Sequence, residues 1–156
     1  GLVGSEMCIR DRLIRRVEIS DLDVIAGLEG LFFLDYWKRD QVQEQIDDGK
    51  SVNLCIENDS VICGYVLAKS YFDFVEILRI GVSKDFRETG MASMLMDKIE
   101  LISLDMKIKK ILLEVREGNF AAINLYKKMD YKINGIRKGY YKKYKEDAIL
   151  MSKNLG

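Results

Sequence analysis

Apolar and polar residues along the chain fall into two kinds of pattern. Continuous or alternating apolar runs predict strands at residues 13–18, 52–56, 61–68, 75–82, 109–115, 132–140 and 148–153. Apolar residues spaced three or four apart predict helices from Ser20 to Leu31, at 41–46, at 91–104, and after Asn119 as far as Met129. This order of elements predicts a mixed α/β sheet with helices on both faces.

The predicted strand at residues 61–68 is apolar on both of its faces. By alternation Cys63 and Tyr65 fall on one face, while Val66 and Ala68 fall on the other. A strand with one face in water would alternate apolar and polar residues instead. We therefore expect this strand inside the sheet, covered on both sides.

Polar residues mark the predicted starts of two helices. Ser20 and Asp23 form an S-x-x-D signature, which predicts that the first helix begins there. Asn119 is placed to cap the last helix, because its side-chain oxygen can accept a hydrogen bond from a free amide of the first turn.

Length and composition indicate one globular domain. The 156 residues are 48% hydrophobic and 32% charged, which suits a packed core and neither a disordered chain nor a membrane protein. The 25 basic and 25 acidic residues cancel, so we expect no stable nucleic-acid partner and no membrane partner. The beginning of the chain lacks the apolar core of a secretory leader, so a cytoplasmic location is expected.

Histidine is absent from the sequence, which narrows the chemistry. Ser-His-Asp catalysis, Cys-His catalysis and histidine-containing zinc sites are excluded. A general base must then be a carboxylate, lysine, tyrosine or cysteine. Of the three cysteines, Cys55 and Cys63 fall on two predicted strands that flank a short turn and could bring them together, and we expect both to be buried, reduced thiols.

Residues 1–12 read G-L-V-G-S-E-M-C-I-R-D-R and resemble a translated sequencing-adapter remnant. They show no clear period, and the pattern of the domain begins only after them. We predict that this segment, with Cys8, is an artefact outside the fold and that the domain spans residues 13–156.

The loop at residues 82–92 joins a predicted strand to a predicted helix. Its sequence, V-S-K-D-F-R-E-T-G-M-A, places Gly90 at the start of the helix and Arg87 shortly before it. Free amides and the helix dipole at such an N-terminus favour a pyrophosphate, and Gly90 and the small Ala92 let phosphate approach the backbone. The loop is neither a dinucleotide-binding G-x-G-x-x-G nor a Walker A motif, since G-K-S/T is missing.

Glu114 is the ionisable residue inside the apolar run at 111–115. A buried carboxyl group is costly unless it is paired or functional, and general bases are often found in such places. The alternative is a water-facing glutamate on a half-exposed strand. Tyr126, on the following helix, is open to two interpretations as well: a core aromatic or a proton donor.

Together these stretches resemble the GNAT superfamily of N-acetyltransferases. Residues 82–92 resemble its acetyl-CoA-binding motif, Q/R-x-x-G-x-G/A. Residues 113–131, L-E-V-R-E-G-N-F-A-A-I-N-L-Y-K-K-M-D-Y, are similar to the L-E-V-R-x-x-N-x-x-A-I-x-L-Y run of the RimI-type enzymes, and residues 136–151 fit their closing strands. The resemblance extends over residues 13–155 and is stronger in the second half.

The resemblance implies a fold and a reaction. The fold is the acyl-CoA N-acyltransferase fold, a mostly antiparallel sheet with a parallel pair at the acetyl-CoA site and helices on both faces. The reaction transfers acetyl from the cosubstrate acetyl-CoA to a primary amine by direct attack in a ternary complex, without a metal. The implied acceptor is the N-terminal alanine amine of a ribosomal or other protein, and the enzyme is a monomer or a weak dimer.

Three alternatives to this function stay open. One is an acetyltransferase that acts on a small amine, such as a polyamine, an amino acid or an antibiotic. Another is a non-catalytic acyl-CoA-binding module, which would keep the phosphate loop but would not depend on a general base. The third is an α/β scaffold whose loop match is accidental and which would not bind acetyl-CoA.

The resemblance also implies the residues of the site. Those expected to bind the cofactor are Ile80, Val82, Arg87, Glu88, Thr89, Gly90, Met91, Ala92 and Asn119. Glu114 would be the general base, acting through water, and Tyr126 the acid that protonates the coenzyme A thiolate. Tyr140 and Tyr141 would line the substrate end. Glu76 is a rival base, because some GNAT enzymes place theirs on that strand.

Some residues depart from the family pattern. Asp130 stands where the family's L-Y-x-x-x-G-F has a glycine with left-handed geometry, which aspartate tolerates better than most residues. The loop K-K-Y-K-E-D after Tyr141 is lysine-rich and suits a basic peptide poorly. Acceptor choice is expected to depend on residues 32–40 and on this loop. Trp37 either lines the acceptor cleft or simply packs.

Overall fold

The computed structural model describes residues 7–9 and 11–156 of the chain. Within these residues there are eight strands and four α-helices. The strands are β1 (Met7–Ile9), β2 (Arg12–Arg16), β3 (Ser51–Asn58), β4 (Val61–Ser70), β5 (Val75–Val82), β6 (Lys110–Arg116), β7 (Lys132–Tyr141) and β8 (Glu146–Asn154). The helices are α1 (Leu22–Phe32), α2 (Arg39–Asp47), α3 (Met91–Asp105) and α4 (Phe120–Lys128). Each predicted strand and helix is confirmed, with ends close to those predicted.

The strands that the structure describes form a single sheet in the order β1-β2-β3-β4-β5-β6-β8-β7. Neighbouring strands pair antiparallel, except β5 and β6, which are parallel. A parallel pair needs a long crossover connection, and α3 supplies it between β5 and β6. The predicted mixed, mostly antiparallel sheet with a parallel pair is therefore confirmed.

Helices cover both faces of the sheet, so the sheet divides the core into two clusters of buried apolar residues. On the α3–α4 face, a larger cluster includes Val66, Ile99 and Tyr126. On the α1–α2 face, a smaller cluster includes Ile25 and Tyr65. β4 lies between the two clusters and contributes to both, as its apolar pattern predicted.

A β-bulge changes the predicted placement of one cysteine. β3 and β4 shift register between Ile56 and Glu57, and Cys63 packs on the α3–α4 face, opposite to Tyr65. Cys55 and Cys63 are both buried free thiols, as predicted, and they pack in opposite layers of the core. Burial raises the pKa of the Cys55 thiol to about 12, so it is protonated at neutral pH.

The start of α1 differs from the prediction. A 3₁₀ turn at Ile19–Asp21 takes up Ser20, and the residue that precedes α1 is Asp21. The Asp21 carboxylate accepts the Glu18 amide at 2.7 Å and pairs with Arg15 at 2.8 Å. The predicted cap by Ser20 is therefore wrong, since the extra turn moves the start of the helix along the chain.

The two ends of α4 agree with the sequence analysis. The Asn119 side-chain oxygen accepts the Ala122 amide at 3.2 Å, which confirms the predicted cap. After the helix, Asp130 has a φ of 71°, the left-handed geometry expected where the family has glycine.

The first residues are only partly described. β1 pairs with β2 in an antiparallel manner, and β2 begins at Arg12. Residues 1–6 and residue 10 lie outside the described residues. That residues 1–12 are an artefact, and that the domain begins at residue 13, stay predictions.

Over the part of the chain that the structure describes, none of the helices combines the length and the apolar character needed to cross a membrane.

The helix α3 offers a test of this packing. Ile99 is fully buried against the sheet, whereas Leu101 on the same helix is 42% exposed. We expect Ile99→Ala to lower the free energy of unfolding by about 2–5 kcal/mol, because it leaves a cavity in the larger cluster. Leu101→Ala is the control and should cost less than about 0.5 kcal/mol. Chemical denaturation measures both, and equal losses would contradict the orientation of α3.

Candidate active site

β5 and β6 separate partway along their length. Their pairing ends at Ile77 and Leu113, yet β5 continues to Val82 and β6 to Arg116. On its other side β5 has a bulge at the same point, because Ala68 of β4 faces Ile77 and Leu67 faces Arg79. Bulges bend a strand and increase its twist, which accounts for the separation.

The separation leaves one edge of each strand facing a gap. Backbone N–H and C=O groups along such edges need partners, and an extended ligand can supply them as an added strand would. β4 and β8 pair with the other edges of β5 and β6. The gap is therefore a place where a ligand can enter the sheet without breaking existing hydrogen bonds.

A cleft of about 100 Å³ opens at this gap. Its walls are formed by residues of β5, β6 and α4, of the loop between α1 and α2 (residues 33–38), and of the end of the sheet where β7 turns into β8. The lining residues are Phe33, Asp35, Ile77, Leu78, Arg79, Ile80, Leu113, Glu114, Val115, Arg116, Asn119, Ala122, Tyr126, Tyr141 and Tyr144. Of the residues predicted for the site, the cleft brings together Ile80, Glu114, Asn119, Tyr126 and Tyr141.

The N-terminus of α3 follows β5 and has the features of an anion site. Gly90 precedes the helix with a φ of 85°, a geometry that favours glycine, and Glu88 before it has a φ of 62°. Glycine has no side chain to cap the helix, so the first amides of α3 remain free at the positive end of the helix dipole. A Cβ on Gly90 would lie no closer than 3.9 Å to Ser93 Oγ, so backbone conformation rather than space requires glycine.

The side chains of this loop differ in their contacts. Arg87 is exposed, and its Nε lies 3.4 Å from the carbonyl oxygen of Val82. The Thr89 hydroxyl donates a hydrogen bond within the loop. Met91 is buried, with its sulfur 3.4 Å from Cys63 Sγ, and so fixes α3 to the sheet. Its side chain serves the core, which leaves its backbone amide for the anion site.

Ile80, Val82, Ala92 and Asn119 lie around the gap and the start of α3. Ile80 lies in the part of β5 beyond the last pairing with β6 and lines the cleft. Val82, at the end of β5, packs against the larger cluster. Ala92 lies in the first turn of α3, where its small side chain leaves the amides accessible. Asn119 caps α4 and also lines the cleft, so one residue starts the helix and faces the gap.

Tyr126 reaches the cleft from the α3–α4 face. It is buried, and the centre of its ring lies 5.7 Å from that of Tyr131. Burial raises the pKa of Tyr126 above its ordinary value, so the phenol stays protonated at neutral pH and can act as an acid. The hydroxyl of Tyr131, by contrast, donates to Glu100 at 2.9 Å.

Glu114 reaches the cleft from the opposite face. Its neighbours Leu113 and Val115 pack into the larger cluster, so strand alternation turns Glu114 toward the α1–α2 face. Its side chain is 21% exposed, and Oε1 lies 3.4 Å from Nη2 of Arg137 on β7. The carboxylate is thus paired with a cation and still open to water.

Tyr140 and Tyr141, at the end of β7, lie beside Glu114. Their ring centres are 5.2 Å apart in an edge-to-face arrangement. The pKa of each tyrosine is raised, first by burial and then by the Glu114 carboxylate. Tyr141 lines the cleft, whereas Tyr140 is open to solvent. The predicted aromatic pair therefore lies next to the predicted base.

Glu76, the rival base, lies on the part of β5 that still pairs with β6, opposite Leu112. Burial raises the pKa of Glu76, and the charge of Glu114 raises it further. The two carboxylates therefore interact, but Glu76 is not among the residues that line the cleft. The geometry favours Glu114 over Glu76.

Arg79 is a cleft residue that was not predicted from the sequence, although it carried a usable signal, because it is an ionisable residue inside an apolar strand, as Glu114 is. Asp35 and Tyr144 lie in the two segments expected to govern acceptor choice, but no periodicity singled out these residues or showed that the two segments meet. Trp37 packs in the smaller cluster and is not a lining residue, in line with the packing interpretation.

Comparison with known proteins places the chain in a family. The model of the acetyltransferase (GNAT) family matches residues 22–131, a stretch that contains the α3 loop, Glu114 and Tyr126. This is more than half of the chain, which therefore belongs to the GNAT acetyltransferase family. The resemblance predicted from the sequence is confirmed.

Similar proteins are N-acetyltransferases. A Bacillus subtilis (strain 168) protein, provisionally named ribosomal protein bS18-alanine N-acetyltransferase, is 28% identical over 139 residues, which cover 88% of this chain and 92% of that protein. The ribosomal-protein-S18-alanine N-acetyltransferase from Escherichia coli has a structure similar to this one, with a TM-score of 0.87 at 22% identity, over 93% of this chain and 94% of that one. NAA60 from Arabidopsis thaliana, in complex with acetyl-CoA, gives a TM-score of 0.83 at 21% identity, over 92% of this chain and 98% of that one.

These findings fix the class of the enzyme. The structural likenesses establish the GNAT fold, and the family and the relatives establish an N-acetyltransferase, as predicted. GNAT enzymes use acetyl-CoA as the acetyl donor. The open strand edges and the free amides of α3 fit an extended ligand that carries phosphates.

The α3 loop gives a test of the donor site. We expect Gly90→Ala to weaken acetyl-CoA binding about tenfold, because a φ of 85° costs a residue with a Cβ about 1–2 kcal/mol and the loop would relax. Isothermal titration calorimetry measures the affinity.

Gly139→Ala is the matched control. Gly139 has a φ of 61° with open space around its Cβ position, so the same backbone strain arises outside the α3 loop. Its acetyl-CoA affinity should be unchanged. Equal affinities for all three proteins would contradict a phosphate site at Gly90.

Proposed function

We propose that this protein transfers the acetyl group of acetyl-CoA to the N-terminal amine of a protein, through a cleft that passes between β5 and β6. The observation that carries the proposal is the position of Glu114 and Tyr126 on opposite faces of the same gap. An acetyl donor entering from the α3–α4 face and an amine entering from the α1–α2 face would meet between them. This arrangement suits direct transfer in a ternary complex.

The donor side is formed by the α3 loop, β5 and α4. The residues that hold the pyrophosphate, mainly through backbone amides, are Arg87, Glu88, Thr89, Gly90, Met91 and Ala92. Ile80 and Val82 offer the open edge of β5 to the pantetheine arm, as an added strand would use it. Asn119 contacts the same arm from the start of α4. The exposed Arg87 is free to swing from the Val82 carbonyl to a phosphate.

The chemistry needs a base and an acid on opposite sides of the reacting carbon. Glu114 accepts the proton of the acceptor ammonium through water, and an α-amine has a pKa of about 8, so a modest base suffices. The amine nitrogen bonds to the acetyl carbon, and the carbon–sulfur bond breaks. Amides on the open edge of β5 stabilise the charge that develops on the carbonyl oxygen. Tyr126 gives its proton to the departing thiolate and is restored, through solvent, by the second proton that the nitrogen loses as the amide forms.

The acceptor is the second substrate of the proposed reaction. The names of the similar proteins from B. subtilis and E. coli support an N-terminal alanine of a ribosomal protein. Tyr141 lines the acceptor end of the cleft beside Glu114, and Tyr140 packs edge-to-face against it. A small amine is the alternative acceptor. A cytoplasmic location, a monomeric or weakly dimeric state and catalysis without a metal stay predictions.

The test follows release of the coenzyme A thiol from acetyl-CoA. The protein is offered an alanine-starting peptide and, separately, polyamines and amino acids, and we expect turnover on the peptide. Glu114→Gln should lower kcat about 100-fold without changing the affinity for acetyl-CoA, because only the proton acceptor is lost.

Glu76→Gln is the matched control, since Glu76 is the neighbouring carboxylate outside the cleft. It should keep most of the activity. A larger loss in Glu76→Gln than in Glu114→Gln would move the base to β5, and turnover confined to small amines would overturn the proposed acceptor.

Tyr126→Phe tests the proton donor. We expect kcat to fall about 100-fold with unchanged acetyl-CoA affinity, because the thiolate then leaves without a proton. Steady-state kinetics measure the effect. Tyr131 is a second buried tyrosine beside Tyr126. Tyr131→Phe should lower the free energy of unfolding by about 1–3 kcal/mol, because its hydrogen bond to Glu100 is lost, but it should keep the wild-type kcat. Full activity in Tyr126→Phe would show that the thiolate departs without this residue.

A further inference from the structure

A buried ion pair lies beside the cleft and has no part in the proposed chemistry. Glu29 of α1 has a fully buried side chain, and the side chain of Arg79 of β5 is only 11% exposed. Nη2 of Arg79 lies 2.9 Å from Glu29 Oε1, and its Nε donates to the same oxygen at 3.0 Å. The Tyr65 hydroxyl donates to the other carboxylate oxygen.

The same ion pair fastens the loop between α1 and α2. Glu29 Oε1 accepts the backbone amide of Trp37 at 2.8 Å. The Arg79 guanidinium lies 4.2 Å from the centre of the Phe33 ring and 5.6 Å from that of Trp37. Its Nη2 is 3.4 Å from an oxygen of Asp35. The Arg79 guanidinium therefore contacts Phe33, Asp35 and Trp37, three residues of the segment 33–37 in this loop.

This loop forms one wall of the cleft on the α1–α2 face. Phe33 and Asp35 line the cleft together with Arg79. On the other side, the Leu34 amide donates to the Tyr144 hydroxyl at 2.8 Å, which ties the loop to the hairpin between β7 and β8. The loop is thus held at two places, by Tyr144 on its exposed side and by Arg79 on its buried side.

Stability alone gives a weak reason for this arrangement. Replacing a buried ion pair by well-packed apolar side chains is often neutral or stabilising, because two charges must be desolvated. What arginine adds is a planar, forked cation that bonds carboxylates and stacks on aromatic rings in a fixed direction. The contacts to Phe33 and Asp35 use these two properties, which points to a role in geometry.

We propose that Arg79 is a positioning residue that fixes residues 33–37 as the wall of the acceptor site and so restricts the first side chain of the acceptor. The inference rests on the proposed function, because that function places the acceptor on the α1–α2 face. The guanidinium acts through Phe33 and Asp35, whose positions set the width of the acceptor end. Small first residues fit, and bulky ones meet the wall.

The test is Arg79→Lys, which keeps a cation for Glu29 but loses the planar contacts to the loop. We expect the KM for an alanine-starting peptide to rise about tenfold, with kcat and acetyl-CoA affinity nearly unchanged, since only acceptor placement suffers. The preference for alanine over leucine as the first residue should fall about threefold or more. Asp35→Asn, which removes the charge from one partly buried contact of the same network, should shift both quantities in the same direction and by less.

Trp37 supplies a readout that needs no acceptor. It is the only tryptophan of the chain, and it lies in the loop that Arg79 holds. Quenching of its fluorescence by acrylamide should increase in Arg79→Lys, because the loop is released to solvent. If the wild type does not acetylate peptides, the proposed acceptor is overturned, whereas this quenching still decides whether Arg79 holds the loop.

Arg15→Lys is the matched control. Arg15 forms a comparable, partly buried ion pair with Asp21 and Glu57, away from the cleft. Arg15→Lys should lower the free energy of unfolding without changing the KM for the acceptor peptide or the acrylamide quenching of Trp37. The inference is overturned if folded Arg79→Lys keeps the wild-type KM, first-residue preference and quenching, or if Arg15→Lys changes them equally.

Discussion

The separation of β5 from β6 is the constraint on which the site depends. A bulge opposite Leu67 and Ala68 bends β5 at the point where its pairing with β6 ends. The bend leaves two open strand edges inside a covered sheet, where unpaired backbone groups are costly without a partner. It also delivers the end of β5 to the N-terminus of α3, so the open edge leads directly to the free amides after Gly90.

Because the gap passes through the sheet, the two faces can contribute different chemistry. The α3–α4 face supplies a buried, protonated phenol in Tyr126, and the α1–α2 face supplies a carboxylate in Glu114 that remains open to water. A sheet without the gap would keep these two residues apart, in separate layers of the core. The loop held by Arg79 and the tyrosines at the end of β7 then surround only the second face.

Local signals in the sequence predicted the helix cap and the glycine turn beside the gap, but not the contacts that join distant elements across the sheet. The cap by Asn119 and the glycine at the start of α3 depend on neighbouring residues, so the sequence pattern was enough to find them. The position of Cys63 depends on a bulge, which strand alternation cannot reveal. The contact of Arg79 with Glu29 joins β5 to α1 across the sheet, and no spacing along the chain indicates it. The order β6-β8-β7, which brings Arg137 to Glu114, is likewise a property of the folded sheet.

Hydrogen exchange of backbone amides, with and without acetyl-CoA, tests the central claim most directly. If the gap between β5 and β6 receives the donor, the amides of residues 78–82 that face the gap, and the amides of residues 91–93, become protected on binding, because the ligand then supplies their missing partners. The amides in the middle of β3, already paired on both sides, should not change. Protection elsewhere with none at residues 78–82 would contradict the account.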